Sequence, residues 1–71
     1  MNRTEHLDWC KTRALEYLPA DPNQAFTSMM SDLGKHDGTR NHVAIALGMN
    51  LLMGGKLENH VKMRYFITGF N

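Results

Sequence analysis

The apolar positions of this chain recur every three or four residues in four separate stretches, and nowhere do they alternate as a half-buried strand requires. That pattern predicts an all-α fold of four short helices. Between about Thr4 and Leu18, Leu7, Cys10, Ala14, Tyr17 and Leu18 share one stripe, with Leu15 on its flank. Thr4 is the expected N-cap, Glu5 and Asp8 lie in the first turn where the helix dipole favours acid, and Pro19 stops the helix. The second start is the best marked. Asp21-Pro22-Asn23-Gln24 offers a capping carboxylate, a proline at the first helical position and a capping-box Gln. Ala25, Phe26, Met29, Met30 and Leu33 then form an apolar face, and Thr27, Ser28, Ser31 and Asp32 a polar one. Gly34 ends the run, with Lys35 and His36 placed to complement the C-terminal dipole.

The third stretch begins near Asp37-Gly38-Thr39, with Asp37 or Thr39 as cap, and ends at Met53 before Gly54-Gly55. Val43, Ala44, Ile45, Ala46, Leu47, Met49, Leu51, Leu52 and Met53 point in every direction around its axis. A helix apolar all round must be covered on most sides, so helix 3 is predicted to be central. Gly48, which costs about 1 kcal/mol of helix propensity relative to Ala, is expected to mark a close crossing where no side chain fits. The fourth helix runs from about Glu58 or Asn59 to Thr68 on a stripe of Met63, Phe66, Ile67 and Phe70, and Gly69-Phe70 has the form of a left-handed C-cap. The short breaks predict two antiparallel hairpins, helix 1 with 2 and helix 3 with 4, in a single domain over 1–71.

Seventy-one residues, 42% apolar and 21% charged, describe one small globule and not a disordered tail. A domain of this size buries only about 60% of its unfolded surface. With a single cysteine, Cys10, no internal disulfide is available, so self-association is the expected supplement. The net charge of +1, from eight Lys and Arg against seven Asp and Glu, gives no strong pull toward nucleic acid or an anionic membrane. The longest apolar run, Val43 to Met53, falls short of the roughly 20 residues of a spanning helix. The start, Met1-Asn2-Arg3-Thr4-Glu5-His6, has no apolar signal core. A soluble, intracellular chain is therefore expected.

Several short runs carry a family resemblance: Ser31-Asp32-Leu33-Gly34-Lys35-His36, Leu47-Gly48-Met49, Met53-Gly54-Gly55, Met63-Arg64 and the ending Phe66-Ile67-Thr68-Gly69-Phe70-Asn71. They resemble a family of small tailed-bacteriophage proteins of unknown function, and the likeness extends over nearly the whole chain. Its elements are helix stops and core positions, not catalytic signatures. The resemblance implies expression in a host bacterial cytoplasm and raises a role in host takeover or evasion of host defence. It implies no functional residues.

The chemistry-bearing side chains do not assemble into a familiar set. His6 and Cys10 have the i, i+4 spacing of a helical zinc site, but they are only two local ligands. The simpler reading is an exposed histidine near a helix start and a core thiol, so no metal or other cofactor is expected. His36 and His42 bracket the loop before helix 3 and are expected to cap or hydrogen-bond. Ser28 and Ser31 lie on a polar face with no strained turn around them, and Gly54-Gly55-Lys56 lacks the spacing of a phosphate loop. No catalytic residue is assigned and the chain is not expected to be an enzyme.

Trp9 is the most informative single position. It projects about 200° from Leu7 on the wheel, on the polar side with Arg13 and Glu16. Either it is an interface anchor, with Arg13 stacked on its ring, or the helix rotates and it plugs the edge of the core. The methionines fall mainly on the core stripes, and any surplus (Met30, Met49 and Met53) would form an adaptable patch. The expected function is a non-enzymatic interaction protein of phage origin, binding a host protein as a small homo-oligomer through Trp9, Arg13, Glu16, Met30, Met49 and Met53. The alternatives are a dimeric DNA-binding regulator using Lys56, Lys62 and Arg64, or a minor component of the virion. Lys62 and Arg64 point about 160° apart, which weighs against one basic face.

Overall fold

Four helices follow one another in the computed structural model, which describes residues 2–70: α1 (Arg3–Tyr17), α2 (Pro22–Leu33), α3 (Val43–Met53) and α4 (His60–Gly69). No strand is present among the described residues. Each helix has an identifiable start. The cap of α1 is Asn2, not Thr4: its side chain accepts from the Glu5 N–H at 2.8 Å, and the Glu5 carboxylate accepts from the Asn2 N–H at 3.3 Å. Asp21 caps α2 by accepting from the Asn23 N–H at 2.9 Å, with Pro22 in the first turn as its fixed φ allows. Asn59 caps α4 by accepting from the Lys62 N–H at 2.8 Å.

The start of α3 lies beyond the expected Asp37–Thr39. Thr39 is fully buried, and its hydroxyl donates to the Leu33 carbonyl at 2.7 Å, taking one of the acceptors that α2 leaves open at its end. Residues 34–42 are thereby folded into successive turns, and the helix begins only where His42 Nδ1 accepts from the Ala44 N–H at 2.9 Å. His36 closes one of those turns by accepting from the Gly38 N–H at 2.9 Å. The left-handed glycine is Gly55, at φ 73°, just past α3. Gly69 is the last residue of α4 and Phe70 leaves it extended, because its ring turns back onto Phe66 and His42 at centroid distances of 5.4 and 5.1 Å.

The core is built mainly by three of the four helices, with Ala44 of α3 in it and Ile45, Leu51 and Leu52 half-buried against it. α1 packs most extensively on α2, and α4 packs against both rather than pairing with α3. Leu7, Cys10, Ala14 and Leu18 meet Ala25, Phe26, Met29 and Leu33, while Met63, Phe66 and Ile67 close the third side. Leu57, in the connection before α4, is also buried, whereas Tyr17 of the predicted helix 1 stripe is 40% exposed.

The expectation of a central helix 3 is overturned. Only Ala44 and Gly48 of α3 are buried; Val43, Leu47, Met49 and Met53 are 73%, 49%, 46% and 82% exposed. Ile45, Leu51 and Leu52 are half-buried against the core, and Gly48 sets how closely the helix approaches it. A Cβ at that position would lie 2.8 Å from Phe66 Cζ and 3.0 Å from Phe26 Cε1, so the two rings rest directly on the α3 backbone. The close approach predicted at Gly48 is thus to two aromatic rings. Gly48→Ala should lose about 1 kcal/mol net in a thermal or urea melt, because overpacking buried rings costs about 2 kcal/mol against a propensity gain of about 1. A stabilised variant would show that the rings can withdraw without cost.

Candidate functional site

Asp32 gathers most of the polar chemistry of the molecule. It lies in the last turn of α2, where the helix dipole disfavours a carboxylate, and its side chain is only 1% exposed. Two cations answer both problems. Arg13 Nε, from α1, donates to Oδ2 at 2.7 Å, and Lys35 Nζ, just beyond α2, donates to Oδ1 at 2.9 Å. Ser28 Oγ donates to Oδ2 at 3.4 Å. Burial by itself raises the Asp32 carboxyl, but the hydrogen bonds from Lys35 and Arg13 outweigh it and hold the group below the ordinary carboxylate range. The Arg13 guanidinium is pushed up by the same hydrogen bond to Asp32.

A ring cluster sits on this ion triad. His6 Nε2 donates to the Asp32 carbonyl at 2.8 Å, so Nε2 carries the proton, and the ring stacks on His36 with centroids 4.9 Å apart. His6 is buried, contrary to the exposed position expected for it. Trp9 lies beside His6 at 5.5 Å, with the Arg13 guanidinium 5.0 Å and the Lys35 ammonium 5.9 Å from its ring centre. The expected stacking of Arg13 on Trp9 is therefore present. Trp9 is 37% exposed, at the rim of the core and visible from outside. Between α1 and α2 the triad floors a shallow groove of about 400 Å³, lined by Arg13, Tyr17, Gln24, Ser28, Ser31 and Lys35 among others.

Asp32 accepts side-chain hydrogen bonds from Arg13, Lys35 and Ser28 and is almost wholly buried. Cys10, beneath it, is fully buried, and desolvation together with the Asp32 charge pushes its thiol up to about 11, far from the range of a reactive thiolate. Among the described residues no three His, Cys, Asp or Glu side chains converge to hold a metal ion, and no helix is long and apolar enough to cross a membrane.

The other candidate site residues scatter. Glu16 is exposed on α1. Met30 is half-buried against the core, so it does not belong to an exposed patch, whereas Met49 and Met53 are open on α3. Lys56, Lys62 and Arg64 are all exposed, the last lining a shallow concavity on α4 with His60, Val61, Tyr65 and Thr68. The structure adds Val43 and Leu47, which sequence reasoning treated as core. A signal was present: if Gly48 marks the packed side of α3, the opposite side, about 180° away, carries Ala46 and Asn50 flanked by Val43, Leu47 and Met53. The outer face of α3 therefore contains no charged residue and, besides Asn50, nothing polar.

Comparison with protein-family models, curated proteins and solved structures finds no match to this chain.

Proposed function

We propose that this chain is a non-enzymatic interaction protein whose principal contact surface is the outer face of α3. One observation carries the reading: the most apolar helix has the fewest buried residues, only Ala44 and Gly48. Total accessible surface, 4406 Å², is close to the roughly 4,500 Å² that size alone requires, and four of its exposed large hydrophobics, Val43, Leu47, Met49 and Met53, lie on this one helix. An uncharged apolar face concentrated on one helix is the usual mark of a surface that another polypeptide covers. Van der Waals packing by Met49 and Met53 suits such a contact, since thioethers adapt to the opposing shape.

The resemblance to small tailed-bacteriophage proteins supports a setting in a host bacterial cytoplasm and a host protein as the foreign partner. Trp9 and Arg13, residue types common at interface hot spots, supply with Glu16 a second edge for it. Lys62 and Arg64 flank opposite sides of the exposed part of α4, which leaves the DNA-binding reading without a single basic face.

Chemical cross-linking in bacterial lysate tests the proposal. Wild-type protein should give polypeptide adducts that Leu47→Glu loses, while its helical circular dichroism is unchanged because Leu47 is half exposed. Identical adducts from both proteins would refute a contact role for α3.

A further inference from the structure

We infer that the polypeptide covering α3 is a second copy of this chain, laid antiparallel across it about a two-fold axis level with Gly48. The inference rests on the reading of α3 as a contact surface and names its occupant.

The first argument is charge. In a two-fold interface each copy presents the same patch to itself, so charged faces bring like charges near one another. Val43–Met53 contains no ionisable residue, and such a face meets its own copy without repulsion.

The second is register. The exposed side chains are spaced symmetrically about position 48: Leu47 and Met49 one residue away, Ala46 and Asn50 two, Val43 and Met53 five. An antiparallel pair centred there sets Val43 against the partner's Met53 and Ala46 against the partner's Asn50 along the middle of the face; Leu47 and Met49 lie on its opposite edges, so Leu47 comes beside the partner's Leu47 and Met49 beside the partner's Met49. Each large apolar side chain meets another. Small Ala46 lets the helices approach, and Asn50 lies beside the axis, where a single buried Asn fixes register in paired helices.

The third is area. Val43, Leu47, Met49 and Met53, at 73%, 49%, 46% and 82% exposure, leave about 480 Å² open per copy, so their full coverage in a pair would approach the roughly 1,000 Å² of a specific interface. A chain of 71 residues with one cysteine has the motive, because its own core supplies little surplus.

Sedimentation of the purified protein over a range of concentrations is the test. Wild type should approach twice 8.1 kDa, and Leu47→Glu and Met53→Glu should each weaken association at least about 10-fold by placing a charge against apolar surface. Met53 is 82% exposed, so its variant retains the fold whatever becomes of Leu47→Glu. The register gives a sharper arm: mixing Leu47→Glu chains with Leu47→Lys chains should restore a mixed dimer, since position 47 lies beside position 47 of the partner. A monomer at every concentration overturns the inference, and if Leu47→Glu still loses adducts in lysate, α3 remains a contact surface for a different polypeptide. A dimer indifferent to both glutamates, or a mixture that fails to associate, overturns the α3 pairing.

Discussion

Asp32→Ala is expected to destabilise the fold by about 2 kcal/mol, seen as a lower urea midpoint at unchanged slope. The gross loss is two charge-assisted hydrogen bonds, from Arg13 and Lys35, at about 1.5–3 kcal/mol each. Two effects reduce it. Removing a carboxylate from the end of α2 relieves its clash with the dipole, and Ala is the better helix former; together these return about 1–2 kcal/mol. The cations, 38% and 56% exposed, turn to water instead of being stranded, so the cost stays below the 3–5 kcal/mol of an enclosed pair. A core this small supplies only a few kcal/mol in total, so the variant should be partly unfolded when warmed.

The pH dependence gives the same residue a second signature. Because Asp32 is held below its ordinary carboxylate value in the folded state, its contribution is complete above about pH 4 and disappears as pH falls through the lower folded value. Wild-type stability should therefore drop below about pH 4, while Asp32→Asn follows a flatter curve, the two converging near the acid end. An equal gap between them at pH 7 and pH 2 would assign the acid sensitivity to other groups.

Ile67→Ala should cost about 3 kcal/mol, and Tyr65→Ala, two residues earlier on the same helix, less than about 0.5. Ile67 is fully buried where α4 closes on α1 and α2, and Met63 and Phe66 beside it leave no freedom to collapse into the space. Tyr65 is 75% exposed and gives up little when truncated. Comparable losses from both variants would mean that α4 is rotated from the orientation described.

Most of the buried set was legible because it follows from helix periodicity. Leu7, Cys10, Ala14 and Leu18, then Ala25, Phe26, Met29 and Leu33, then Met63, Phe66 and Ile67 all fall on the stripes that spacing alone defines. Asp32 was not legible in the same way. By period it belongs with Thr27, Ser28 and Ser31 on a polar face, and it is buried only because Arg13 arrives from another helix and Lys35 folds back from the turn beyond. Trp9 shows the same dependence, for its two cationic neighbours are the partners of Asp32.

Local chemistry in this chain set the number of helices, their stops at Pro19, Gly34 and Gly54, the caps at Asp21 and Asn59, and the need for a small residue at position 48, since these depend on neighbours within a turn or two. Only the packed structure decided which helix stands outside. Hydrophobicity alone nominated α3 for the centre, but burial is won by the surface that complements its neighbours best. The stripes of α1, α2 and α4 fill one another, leaving α3 to lie across them through Gly48, Ala44, Ile45, Leu51 and Leu52 with its other, largely apolar face open.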